Sequence, residues 1–163
     1  RSASILRNWV TRDGTNGFKA EVGRYHLYAA WYCPWAHRTL ILRAIIGLEE
    51  MISDSVVHWY MGKHGWTFAE GEGVIPDTVN QVQFLHEVYT KVKPSFTGRV
   101  TVPILWDKQT NTIVNNESSE IIRMFNSAFD NIGAVAGDYY PVELRDEIDR
   151  LNERIYHTVN NGV

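Results

Sequence analysis

The sequence has almost no cysteine, no long apolar run and no marked excess of either charge. Among its 163 residues Cys33 is the single cysteine, so an internal disulfide framework is excluded and the composition suits a reducing compartment. No apolar segment approaches the roughly 20 residues that span a bilayer, and the first residues carry no signal-peptide core. The expectation is a cytoplasmic protein with no membrane partner, although the chain starts at Arg1 and a lost targeting peptide is not excluded. A formal charge of −3 provides no basic surplus for nucleic acid, so none is expected as a partner. His37 follows Cys33 by one helical turn, but two ligands are too few, and no other histidine spacing completes a metal site, so no metal is expected. With 44% apolar and 21% charged residues, the chain is long enough for one full core and part of a second domain.

What is present centres on that cysteine. Cys33 is followed by Pro34, Trp35 and Ala36, directly after the apolar run Tyr25 to Trp31 and before a helix-like stretch. At a helix start the unpaired amides and the positive end of the dipole favour an anion, so a thiolate is the form this position stabilises. Pro34 fits the first turn, where its missing N–H costs nothing. Ala36 occupies the place a second redox cysteine would take, so any redox cycle needs an outside thiol. The competing reading is a cysteine serving as a small buried hydrophobe.

Residues 1–23 read as an extended lead-in with turn signals at Asp13, Gly14, Asn16 and Gly17. Arg24 to Trp31 suits a strand, Leu40, Ile41, Ala44, Ile45 and Leu48 recur at helical spacing, and Ser55 to Tyr60 is a second strand, parallel to the first. A glycine-rich loop from Met61 to Asp77 carries Trp66 and Phe68. Val79, Val82, Leu85, Val88 and Tyr89 then predict a helix, Val102 to Trp106 and Thr112 to Val114 a hairpin, and Ser118 to Phe129 another helix. The fold class is α/β over 24–130. Residues 131–163 read as a linker and a helix whose stripe of Leu144, Ile148, Leu151, Ile155 and Val159 needs a partner, either the first domain or an incomplete helical domain. The second is preferred.

This element order, the Cys-Pro tetrad after the first strand and the Val102, Pro103 pair before the third resemble the thioredoxin-like N-terminal domain of glutathione transferases, followed by the start of an all-α C-terminal domain. The strings GRYHLYAAWYCPWAHRTLILRAIIGLE, GWTF, GRVTVPILWD, IVNNESSEIIRMFN and LNERIYHTVNNGV resemble the glutathionyl-hydroquinone reductases, or xi-class glutathione transferases, nearly from end to end. Members of that family continue past Val163 with a tyrosine and most of the helical domain.

The resemblance implies glutathione as co-substrate, glutathionyl-hydroquinone as substrate and a homodimer. It implies that Pro103 is cis and that the Val102 backbone pairs with the cysteinyl part of glutathione like a short added strand; otherwise Pro103 is an ordinary strand-start proline. Glu117 and Ser118, where a strand ends and a helix begins, suit the γ-glutamyl ammonium and carboxylate, with a plain helix cap as the alternative. Arg99 offers a fork for a carboxylate, and Trp66 an indole donor and apolar wall; both roles lean on the family. The expected chemistry is attack by Cys33 on the glutathionyl sulfur, giving a mixed disulfide that a second glutathione resolves. A general acid protonates the ring carbon; the resemblance points to tyrosines of the helical domain, while Tyr156 has an alternative packing role. Rival readings are an omega-like thiol transferase or dehydroascorbate reductase, a conjugating transferase, and a noncatalytic module of the same fold.

Overall fold

A computed structural model describes residues 4–162. Its sheet is built around β3, Tyr25–Ala29, whose five side chains are all buried. Naming strands in chain order, β1 is Val10–Thr11, β2 Phe18–Lys19, β4 Ile52–Val56, β5 Ile104–Asp107 and β6 Thr112–Asn115. The main sheet runs β4-β3-β5-β6. β3 is parallel to β4, with Tyr25 opposite Ile52 and Ala29 opposite Val56, and antiparallel to β5, with Tyr28 opposite Ile104. β5 and β6 form the expected hairpin, irregular between Leu105 and Trp106. The helices are α1 (Pro34–Ile45), α2 (Leu85–Val92), α3 (Ser118–Ala128) and α4 (Arg145–Ile155). α1 and α3 lie side by side, and α2 packs against β6.

The second strand starts three residues earlier than the apolar run indicates. Ser53 and Ser55 make that stretch look polar, yet both face His26 of β3, with Oγ atoms 2.8 Å from Nδ1 and 2.9 Å from Nε2. Ser55 spends its own proton on the Pro76 carbonyl at 3.0 Å, so it accepts from Nε2–H and the ring is the Nε2–H tautomer. Burial, aided by Lys108 and Arg43 and opposed by Asp77, lowers the pKa of His26 to about 4. Trp59 and Tyr60, expected in the strand, have left the sheet and are exposed.

The helix expected from Val79 begins only at Leu85. The buried Asp77 carboxylate accepts hydrogen bonds from the amides of Val79, Asn80 and Val82 and from the Tyr28 hydroxyl. Those amides are thereby removed from any helical ladder, which is how Asp competes with helix formation. In α1 the buried face is Ala36, Thr39, Leu40 and Arg43, whereas Ile41 and Ile45 are about half exposed. Arg43 is held inside by the Ile52 and Glu49 carbonyls and by Asp54 at 2.9 Å.

The lead-in closes the free edge of the sheet. The Asn8 amide donates to the Val114 carbonyl at 2.8 Å, β1 and β2 pair in parallel, and Val10 and Ala20 are buried. At the other end α4 passes directly into a π-helical turn, Tyr156–Asn160. Of its apolar stripe, Leu144, Leu151, Ile155 and Val159 are exposed. Among the described residues no helix is long and apolar enough to cross a membrane.

Candidate active site

Cys33 ends the turn after β3 as the N-cap of α1, in extended conformation, with Pro34 opening the helix and no side-chain bond capping it. Its carbonyl accepts the first helical bond, from the His37 amide at 2.8 Å. The thiol is free, half-buried, and borders an open cleft of about 1110 Å³. Trp66, Arg99, Val102, Pro103, Glu117 and Ser118 line the same cleft, so residues from four separate stretches of sequence meet at one place. The Val102–Pro103 peptide bond is cis. Val102 precedes β5 and lies outside its pairing with β3.

The start of α3 differs from a plain serine cap. Glu117 is the N-cap, and its amide is held by Asn115 Oδ1 at 2.7 Å. Ser118 is the first helical residue, and its hydroxyl accepts from Arg38 Nε at 3.0 Å and Nη2 at 2.7 Å. With both contacts received, the Ser118 proton stays available to an acceptor. Arg38, which the sequence reading did not single out, lines the same cleft. Burial lowers its pKa, the Glu117 charge opposes that effect and Arg123 adds to it. Its guanidinium also sits 5.3 Å from the Trp35 ring centre. The available signal was spacing: Arg38 lies one turn beyond Pro34 and so shares its face of α1.

Trp66 is half-buried against Tyr32, the ring centres 5.5 Å apart. Tyr32 donates to the His58 carbonyl at 3.0 Å, and its pKa is pushed up to about 12 by burial and then by the charge of Cys33. The phenol therefore stays protonated at neutral pH. His37 packs edge-on to Trp31 at 5.9 Å, and among the described residues no cluster of three or more His, Cys, Asp or Glu could hold a metal ion. The cleft's far wall comes from α4 and the turn after it, where Asp149, Asn152, Glu153, Ile155, Tyr156, Asn160 and Asn161 border the opening. α4 thus turns a largely polar face to the cleft. Arg123 of α3 secures it through Asp149 at 2.6 Å.

A four-stranded mixed sheet, a cysteine at the mouth of the first helix and a cis-proline at the entry to β5 define a thioredoxin-like domain of the transferase type. The description "Glutathione S-transferase, N-terminal domain" matches residues 32–128, and the chain belongs to the glutathione S-transferase family. It is 63% identical over 147 residues to the glutathionyl-hydroquinone reductase PcpF of Sphingobium chlorophenolicum, covering 90% of this chain and 47% of that protein. It is 58% identical over 170 residues to the glutathionyl-hydroquinone reductase YqjG of Escherichia coli, covering all of this chain and 52% of that one. The glutathione-bound structure of YqjG superposes with a TM-score of 0.93 at 55% identity, covering 99% of this chain and 55% of that structure. The Xi glutathione S-transferase of Phanerochaete chrysosporium gives 0.93 at 49% identity, covering 99% and 56%. The chain spans about half the length of these relatives.

Proposed function

We propose that the protein containing this chain is a glutathione-dependent reductase that removes glutathione from glutathionyl-hydroquinones. The observation that carries the reading is the meeting of Cys33, the Val102 backbone and Ser118 in one open cleft. The cysteinyl backbone of glutathione pairs with Val102, its γ-glutamyl carboxylate meets Ser118 and its ammonium Glu117, and its glycyl end lies toward Arg99 and Trp66. Cys33 thiolate attacks the glutathionyl sulfur; the new S–S bond forms as the C–S bond breaks, and its electron pair goes to the ring carbon, which takes up a proton from a general acid. Tyr156 borders the cleft, and the family resemblance points to further tyrosines of the helical domain. A second glutathione thiolate then attacks the mixed disulfide, giving glutathione disulfide and restoring Cys33.

The names borne by the relatives support this substrate over a dehydroascorbate or protein disulfide. We also place residues 24–130 in the glutathione-binding domain and 131–163 at the start of the helical one, and take the protein to be cytoplasmic and homodimeric. In the full-length protein Cys33→Ala is expected to abolish turnover of a glutathionyl-hydroquinone and the mass increase of one glutathionyl group on the intact enzyme. Turnover that survives the substitution overturns the mechanism.

A further inference from the structure

The cleft has a side pocket. A second cavity of about 260 Å³ shares Met61, Trp66, Arg99 and Val100 with it and is completed by His64, Gly65 and His86. Its walls are the apolar surfaces of Met61, Val100 and Trp66, and among the described residues no acidic side chain lines it. Its strongest hydrogen-bonding groups are one guanidinium and two imidazoles.

Both imidazoles are held in place. His86 stands in the first turn of α2 and stacks on Phe84, the ring centres 5.5 Å apart and the planes 15° from parallel. His64 packs on the same Phe84 ring at 5.5 Å. It is carried by a turn closed from the Gly65 amide to the Gly62 carbonyl at 3.0 Å, and Gly65 has φ +81, which L side chains rarely adopt. A tripeptide with its γ-glutamyl end at Glu117 and Ser118 points its glycyl end toward Arg99 and Trp66, the two residues that also border this pocket.

We propose that the pocket is a subsite for a carboxylate-bearing residue attached to the glycyl end, so that the protein binds glutathione-type thiols extended at the carboxy terminus by an anionic residue and prefers them to neutral extensions. This rests on the tripeptide orientation proposed above. Guanidinium and imidazole N–H groups donate to a carboxylate, the apolar walls strengthen those bonds by excluding water, and no lining carboxylate opposes the charge.

The test titrates the full-length protein with glutathione, γ-Glu-Cys-Gly-Asp and γ-Glu-Cys-Gly-Asn, following tryptophan fluorescence. The aspartyl peptide is expected to bind about fivefold more tightly than the asparaginyl one, the return of a partly exposed charge-assisted contact. In His64→Ala/His86→Ala that ratio is expected to fall to near one. Should the double variant not fold, His64→Ala alone, on its exposed turn, must lower the ratio. Equal binding of the two tetrapeptides, binding of glutathione with exclusion of both, or a ratio indifferent to the histidines overturns the subsite. Failure to bind glutathione itself overturns the functional reading, and the subsite with it.

Discussion

At the scale of single residues, the site depends on which groups are fixed before a ligand arrives. Arg38 donates twice to Ser118, so it sets the rotamer of the hydroxyl proposed to meet the γ-glutamyl carboxylate, and it adds positive charge beneath it. It is a positioning residue: its loss should weaken glutathione binding without touching the sulfur chemistry. Arg38→Ala is expected to raise the KM for glutathione by about tenfold or more, the scale of a lost hydrogen bond to a charged group, with kcat little changed. Arg38→Lys should recover part of the loss. An equal fall in kcat with unchanged KM contradicts this role. Cys33 and Pro34 were legible in sequence because a lone cysteine before a proline at a helix start has few other uses. Arg38 was not, because its partner lies 80 positions away and its spacing from Pro34 fixes a helix face without naming what that face meets.

At the scale of elements, polar side chains decided where strands and helices begin. Asp77 unwinds what periodicity presents as the first half of a helix, and Ser53 and Ser55 extend a strand that hydropathy starts later. The His26 bridge between β3 and β4 has a consequence for stability. Its pKa is depressed to about 4 in the fold from an ordinary 6.5, so the unfolded chain binds the proton more readily. Its contribution is therefore complete above pH 6.5 and is lost as pH falls toward 4, a total of roughly 3 kcal/mol. Urea unfolding should show stability declining from pH 6.5 to 5. His26→Gln should flatten that decline, whatever it costs at pH 7; parallel curves for the two proteins would disprove the assignment. Paired or hydrogen-bonded carboxylates such as Asp107 and Glu120, whose pKa values are lowered, contribute at more acid pH.

At the scale of the whole molecule, α4 is the element with two obligations. Its largely polar face, with Ile155, borders the cleft, while Leu151 and Val159 lie outside the cleft lining and are exposed. A helix with that stripe uncovered is held to the sheet domain by side chains such as Arg123, which pairs with Asp149 and lies 3.6 Å over the Tyr140 ring centre. The relatives' further length is where a cover for this stripe is proposed to lie. The 163-residue chain is therefore expected to bind a dye such as ANS, and Leu151→Lys/Val159→Lys to reduce that fluorescence by about half or more, because contiguous apolar patches are what such dyes report. An unchanged signal would place the exposed apolar surface elsewhere.

Sequence by itself determined the cysteine at the helix entrance, the motif strings that mark the family and, from Arg24 onward but not for the short pair β1 and β2 before it, the order of strands and helices. Each of these is a local pattern of periodicity, turn chemistry or residue identity. Only the tertiary structure decided that Arg38 supports Ser118, that Asp77 shortens α2, that α4 turns its polar side to the cleft, and that His64 and His86 share a pocket with Arg99. These depend on contacts between distant segments, and side-chain carboxylates, hydroxyls and guanidinium groups satisfy the backbone and one another only after the sheet has brought them within hydrogen-bonding reach.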